Sequence, residues 1–499
     1  MHIRIAPPAV LIAALAALAG QSVSVIPALP ATPLPADDKI VLHVLNRLGF
    51  GPSPRDVKRI RDIGVATYID EQLRPESLPD TTMAARLAGI DTLAMSSREL
   101  AARYFAPAQL ERRRAQRRNA MQPAADEFAR SPAARRDMRP DDALELMQSQ
   151  RRVLTQLAQQ KILRAIYSER QLNEVMVDFW FNHFNVFAGK GQTRNYLTEY
   201  ERDVIRPLAF GKFRDLLGAT AKSPAMLFYL DNWRSAVPED APALAQRRPR
   251  GLNENYAREL MELHTLGVDG GHTQKDVQEV ARAFTGWTIA NPRLGGGFKF
   301  DRRMHDDGEK MILGHRLKPG SGQRDAETVL DILAAHPSTA RFIATKLVRR
   351  FVADDAPPAL VERAAARFRQ TKGDVREVVR TIVTSPEFFA EGAYRAKVRT
   401  PFEFVAAALR ATSADAASAM ALVQALRELG MPLYQCQPPT GYADRADAWV
   451  NAGALLNRMN FALALTGGRL RGIQVPAAAT VDAARATALL LGSPEFQRK

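Results

Sequence analysis

The stretch GLNENYARELMELHTLGVDGGHTQKDVQEVARAFTGW, Gly251 to Trp287, decides the fold. It predicts helix, tight turn, helix. Asn253 or Asn255 suits the N-cap of the first helix, and Gly267 suits the position past its end. Asp269-Gly270-Gly271 supplies residues that accept positive φ for a turn. Thr273 with Asp276 three residues on is a capping-box-like start for the second helix. Val277, Val280, Ala281 and Phe284 then recur at helical spacing, and Trp287 continues the face. At about 100° per residue, Tyr256, Ala257, Leu260 and Leu263 share one face of the first helix with Asn253 and His264. Asn255, Glu259 and Glu262 form a second stripe. Glu254, Arg258 and Glu262 form a third, at ion-pair spacing. These stripes admit two readings. One is a solvated charge ladder with a hydrogen-bonded core histidine. The other is convergence of Glu259, Glu262 and His264 on a polar, catalytic cleft.

Outward from this stretch the chain stays helical. Lys39 to Phe50 predicts a short helix, and Ser53-Pro54 predicts the start of another. Val153 to Phe187 carries apolar residues at helical spacing and ends in FWFNHFNVF, with His183 one turn after Phe179 and Trp180. Thr193 to Ile205 predicts a helix stopped by Pro207. Ser235 to Arg250 is a Pro/Arg-rich loop. After Trp287 the pattern lapses. Gly295 to His315 predicts a small β-hairpin near 298–315. Helices resume at 325–335, 337–352, 358–371, 374–384, 400–412 and 416–429. A proline-rich loop covers Pro432 to Tyr442, and a helix covers Trp449 to Leu465. TSPEF at 384–388 and GSPEF at 492–496 are helix-start grammar. The fold class is mainly α, a multi-helix orthogonal assembly with that one hairpin.

The composition is that of a globular protein, with 46% hydrophobic and 25% charged residues among 499. Residues 1–19 carry Arg4, the apolar run Val10 to Ala19 and an Ala17-Leu18-Ala19 cleavage signature, the pattern of a signal peptide. Residues 20–38 form a Pro/Ala-rich linker. The protein is therefore expected in the periplasm or outside the cell, with no transmembrane helix after the signal. Cys436 is the only cysteine, so no intrachain disulfide forms and no Cys-based zinc site exists. The net charge is +15, and removal of residues 1–19 leaves +14. Such a balance favours anionic neighbours, and for an exported protein an anionic polysaccharide or another envelope component is accessible. An Arg-rich insertion at about 98–152 holds nine arginines and four acids between Glu111 and Arg139. It lacks the aromatics that single-stranded nucleic acid requires, which disfavours nucleic acid as a partner.

No nucleotide-binding Gly-rich loop, HExxH or nucleophile elbow is present. His183, His264, His305 and Asp306 are the candidate ligands for a divalent metal. A metal there would activate water for hydrolysis, but only if the fold brings the four together.

The segment 253–289 closely resembles the signature of the bacterial domain of unknown function 1800 family. Further segments agree in order: HVLNRLGFGPS at 43–53, FWFNHFNV at 179–186, HDDGEKMILG at 305–314, TARFIATKLVRRFV at 339–352 and PPTGYADRADAWVNAGALLNRMNFA at 438–462. The resemblance covers the chain from about residue 39 to its end and implies one helical domain over 39–499. It also implies export, and association with an exported sulfatase-like partner, but no activity. Members often read FWHNHF where this chain has Phe181-Asn182-His183. Two functional readings follow. One is a protein that binds or assembles an anionic envelope or extracellular polymer, or a partner protein. The other is a metal-assisted hydrolase acting on such a polymer.

Overall fold

The structure is a computed structural model that describes residues 36–105, 140–237, 251–476 and 480–499. The expected signal peptide, nearly all of the expected linker, and residues 106–139 and 238–250 of the Arg-rich and Pro/Arg-rich segments lie outside the described residues. The first helix, Ala36–Leu48, starts three residues inside the expected linker. Residues 140–152 of the expected insertion belong to the long helix Pro140–Tyr167.

The protein is mainly α, with three small two-stranded antiparallel sheets among the described residues. The central stretch begins as read. Asn253 caps Glu254–Glu259, its side chain accepting from the Tyr256 N–H at 3.1 Å. The turn then widens into a π-helix over Leu260–Thr265, where the Leu266 N–H donates to Met261 C=O at 2.7 Å. Thr265 Oγ1 donates to Leu260 C=O at 2.7 Å, which occupies a carbonyl in the interrupted ladder. Gly267 at φ 86 ends the helix. Thr273 and Asp276 form the capping box of Gln274–Ala283.

Helix-start grammar holds elsewhere. Ser53 caps Pro54–Ile63, Ser385 caps Pro386–Phe389 and Ser493 caps Pro494–Gln497, each with proline in the first turn. The predicted stop at Pro207 is corrected. A π turn over Tyr200–Ile205 already breaks the regular ladder, so Arg206–Leu208 continues through a proline that has no N–H to give. A small hairpin stands near 298–315 as expected, and a second strand pair accompanies it. Phe298–Phe300 pairs backward with Trp287–Ile289, and Lys310–Ile312 pairs with His315–Leu317. Trp287 thus opens a strand instead of extending the helix face.

One continuous core runs from Val41 to Leu491 through both halves of the chain. Its centre holds Trp180, Tyr200, Tyr256, Phe284 and Trp287, all buried. Among the described residues, no helix is long and apolar enough to cross a membrane.

Candidate functional site

Three segments distant in sequence meet at one cleft of about 300 Å³. The end of helix Gln171–His183 supplies Asp178, Phe181, Asn182 and His183. Helix Pro337–Phe351 supplies Lys346, Arg349 and Arg350. The loop before the C-terminal helices supplies Tyr434, Cys436, Tyr442, Asp444 and Arg445.

Asparagines tie the loop to the helix end. Asn182 Nδ2 donates to Tyr442 C=O at 2.8 Å, and its Oδ1 accepts from the Tyr442 N–H at 2.7 Å. Asn185 donates to the Cys436 and Pro438 carbonyls at 3.0 and 2.8 Å. Gly441 makes the approach possible. It sits at φ +74, and a Cβ there would lie 2.3 Å from the Asn182 carbonyl oxygen. Gly441→Ala is therefore expected to destabilise the protein by at least about 2 kcal/mol, through left-handed strain and backbone overlap. A thermal melt indistinguishable from the parent's would contradict this.

At the back of the cleft His183 is buried, 2% exposed, with both ring nitrogens engaged. Lys346 Nζ lies 2.9 Å from Nδ1 and donates to it. Nε2 lies 3.1 Å from His264 C=O and donates in turn. This fixes the neutral tautomer with its hydrogen on Nε2. Burial first, then the Lys346 ammonium, hold His183 well below the ordinary histidine range. Lys346 is pushed down to about 8, mainly by burial, with Asp444 opposing and Arg349 adding to the shift. Lys161 is already neutralised by Asp178 at 2.9 Å, and Arg350 by Glu403 at 2.6 Å. Lys346 and Arg349 have no carboxylate within 4.0 Å among the described residues; Arg349 donates only to the Asp354 carbonyl, at 3.1 Å. Phe181 packs edge-on against Tyr434 and Tyr200, with ring centroids at 5.0 and 5.6 Å.

The other residues singled out from sequence fall in separate places. His264 stands beside His183, with ring centroids 6.3 Å apart, and burial pushes it down to about 3. Its Nε2 is buried with no hydrogen-bond partner. Glu262 faces Arg258 at 3.5 Å and His272 at 3.6 Å. Glu259 is half-buried, and burial with the neighbouring Glu262 pushes it up. His305 belongs to the strand region. Its Nδ1 lies 2.8 Å from Thr285 C=O and its Nε2 3.3 Å from Asp325. Asp306 pairs with Arg282 at 2.8 Å. His183, His264, His305 and Asp306 therefore do not form one ligand sphere. Among the described residues no three His, Cys, Asp or Glu side chains are placed to hold one ion.

Lys346 and Arg350 escaped the sequence reading, yet a signal was there. Thr339, Ile343, Lys346 and Arg350 lie on one stripe of an otherwise apolar helix face, where a cation needs a reason.

Fold and cleft define a mainly helical protein whose basic pocket backs onto a neutral, buried histidine. A family model described as "Protein of unknown function (DUF1800)" matches residues 43–498, and the chain belongs to that family. No curated protein and no solved structure matches it.

Proposed function

We propose that this is an exported protein that binds an anionic group of an envelope or extracellular polymer in the His183–Lys346 cleft. The observation that carries this reading is the pair Lys346 and Arg349. Both line the cleft and neither has a carboxylate within 4.0 Å among the described residues. Cations one turn apart suit a carboxylate, sulfate or phosphate group. The net charge of +15 adds long-range attraction for such a polymer. The export signal and the expected sulfatase-like partner fit the same setting. Among the described residues the hydrolase reading gains no matching ligand set.

Titration calorimetry with sulfate, phosphate and oligogalacturonate at fixed ionic strength tests the proposal. Lys346→Met and Arg349→Met are each expected to weaken binding at least about tenfold, the scale of one lost charge-assisted contact. Arg302→Met, at a side chain 73% exposed outside the cleft, is the control and leaves affinity unchanged. Affinity is also expected to fall as pH rises through 8, where Lys346 gives up its proton. Equal affinity in parent and Lys346→Met/Arg349→Met protein would sink the reading.

A further inference from the structure

We propose that the C-terminal helical pair, Ala452–Thr466 with Val481–Gly492, is a docking surface for an anionic lipid bilayer. The inference goes beyond the cleft and does not rest on it. A surface helix of a globular protein is apolar on one stripe only, whereas a helix apolar all round belongs in an interior. These two helices break that rule. AGALLNRMNFALALT has a single charge, Arg458, and that side chain is turned inward at 2% exposure. VDAARATALLLG has two charges, Asp482 and Arg485. Phe461, Ala462, Leu465, Ala488 and Leu491 fill the core. Leucine nevertheless continues onto the outer side.

Six of the fourteen exposed large apolar side chains among the described residues lie on these two helices: Leu455, Leu456, Leu463, Val481, Leu489 and Leu490. Their exposures run from 37% to 70%. Such a cluster has an apolar partner to meet. Charge selects the partner. Between Trp449 and Pro494 the acids number one, Asp482, against Arg469, Arg471 and Arg485 outside the core. Arg485 stands between Val481 and Leu489 on the same helical face. A second copy on this face would bring two sets of three arginines together with only one carboxylate on each side, Asp482, already 3.8 Å from Arg485. A lipid surface supplies apolar depth and anionic headgroups at once. Trp449, half-buried just before the first helix, has the residue type favoured at that boundary. No helix here is long and apolar enough to span, so the pair would lie on the bilayer.

The test is sedimentation with vesicles of phosphatidylglycerol and phosphatidylcholine in equal parts, and of phosphatidylcholine alone. The parent is expected to partition at least tenfold more strongly onto the anionic vesicles. Leu456→Glu/Leu489→Glu, altered only at exposed positions, is expected to lose that partition at least tenfold while melting like the parent. Arg485→Glu is expected to weaken it severalfold. Residues 1–19 are identical in all these chains, so differences report the helical pair. Brominated lipid gives a second readout, one that needs no glutamate variant to fold. It should quench tryptophan emission in the parent, and less so in Trp449→Phe. The proposal is overturned by equal partition of parent and double variant, by unquenched emission, or by a dimer in light scattering that the same substitutions split.

Discussion

Glu403→Gln is expected to cost about 3–5 kcal/mol, a large share of a total stability of about 5–15 kcal/mol. Glu403 is 3% exposed and is the anion at the centre of a buried cationic cluster. Arg350 pairs with its Oε1 at 2.6 Å, and Lys499 donates to the same oxygen. Arg47, Arg399 and Arg458, all buried, each feel its charge. Burial alone would raise its pKa. Arg350 and Lys499 outweigh burial and hold it well below the carboxylate range. The amide substitution isolates this charge, because Gln can still accept from the Thr400 N–H, as Glu403 does at 2.9 Å. What it leaves behind is a set of interior cations with little to balance them. Arg47 already has Nε and Nη1 unpartnered, so the cluster has no spare acceptors. Denaturant midpoints would measure the effect, with Asp62→Asn for comparison. Asp62 pairs with Lys58 at 2.7 Å on the surface, with side chains 56% and 78% exposed. A pair of that kind is worth at most about 1 kcal/mol. Arg350→Met added to Glu403→Gln should recover part of the loss, since it removes one stranded charge. A Glu403→Gln protein as stable as Asp62→Asn would refute the account. Because Arg350 also lines the cleft, the same variant should strengthen anion binding in the protein that stays folded, since it removes the carboxylate that neutralises Arg350.

The helical architecture was legible because its signals are local. Ser-Pro starts, the Thr273–Asp276 box and the 3.6-residue apolar period each occupy one segment. The strands were less legible for the opposite reason. Phe298–Phe300 pairs with residues that continue a helical apolar pattern up to Trp287, so the partner strand was hidden inside a helix reading. The π segment over Leu260–Thr265 was invisible too, since nothing in LMELHT forbids a regular helix. The cleft is harder still. His183 and Lys346 are separated by 163 positions, and only the fold brings them to 2.9 Å. The residue types that usually announce chemistry pointed elsewhere: His305 is occupied by Asp325 and Thr285, and Asp306 by Arg282. The better clue was a lysine and an arginine on an apolar helix stripe. That clue reports a conflict between residue type and position, and such conflicts gather at sites.

Acidification is expected to destabilise the protein well above the pH at which carboxylates titrate. Three histidines are buried in the neutral state. Burial first, then Arg47, lowers His43 to about 4. Burial lowers His264 to about 3, and His183 lies well below its ordinary value. Each has a folded pKa beneath the unfolded value of about 6.5. Between those values the unfolded chain binds a proton that the native state refuses, so stability falls as pH falls. The slope is about 1.4 kcal/mol per pH unit for each histidine, or about 4 for the three. From pH 7 to pH 5 the loss comes to about 5 kcal/mol, against a total stability of about 5–15 kcal/mol. Depressed carboxylates such as Glu403 act with the same sign but in a lower window, beneath about pH 4.5. The two groups therefore separate on the pH axis. Denaturant melts at pH 7, 6 and 5 should show the loss, and His264→Gln should flatten the slope by about a third. Flat stability across that range would mean that the interior accommodates the imidazolium forms after all. The cleft shares this dependence. Protonation of His183 Nδ1 would set a positive charge 2.9 Å from the Lys346 ammonium and remove the acceptor that orients it. Anion binding therefore has a ceiling near pH 8 set by Lys346, and its lower limit lies well beneath the ordinary histidine range, where burial and the Lys346 ammonium hold His183.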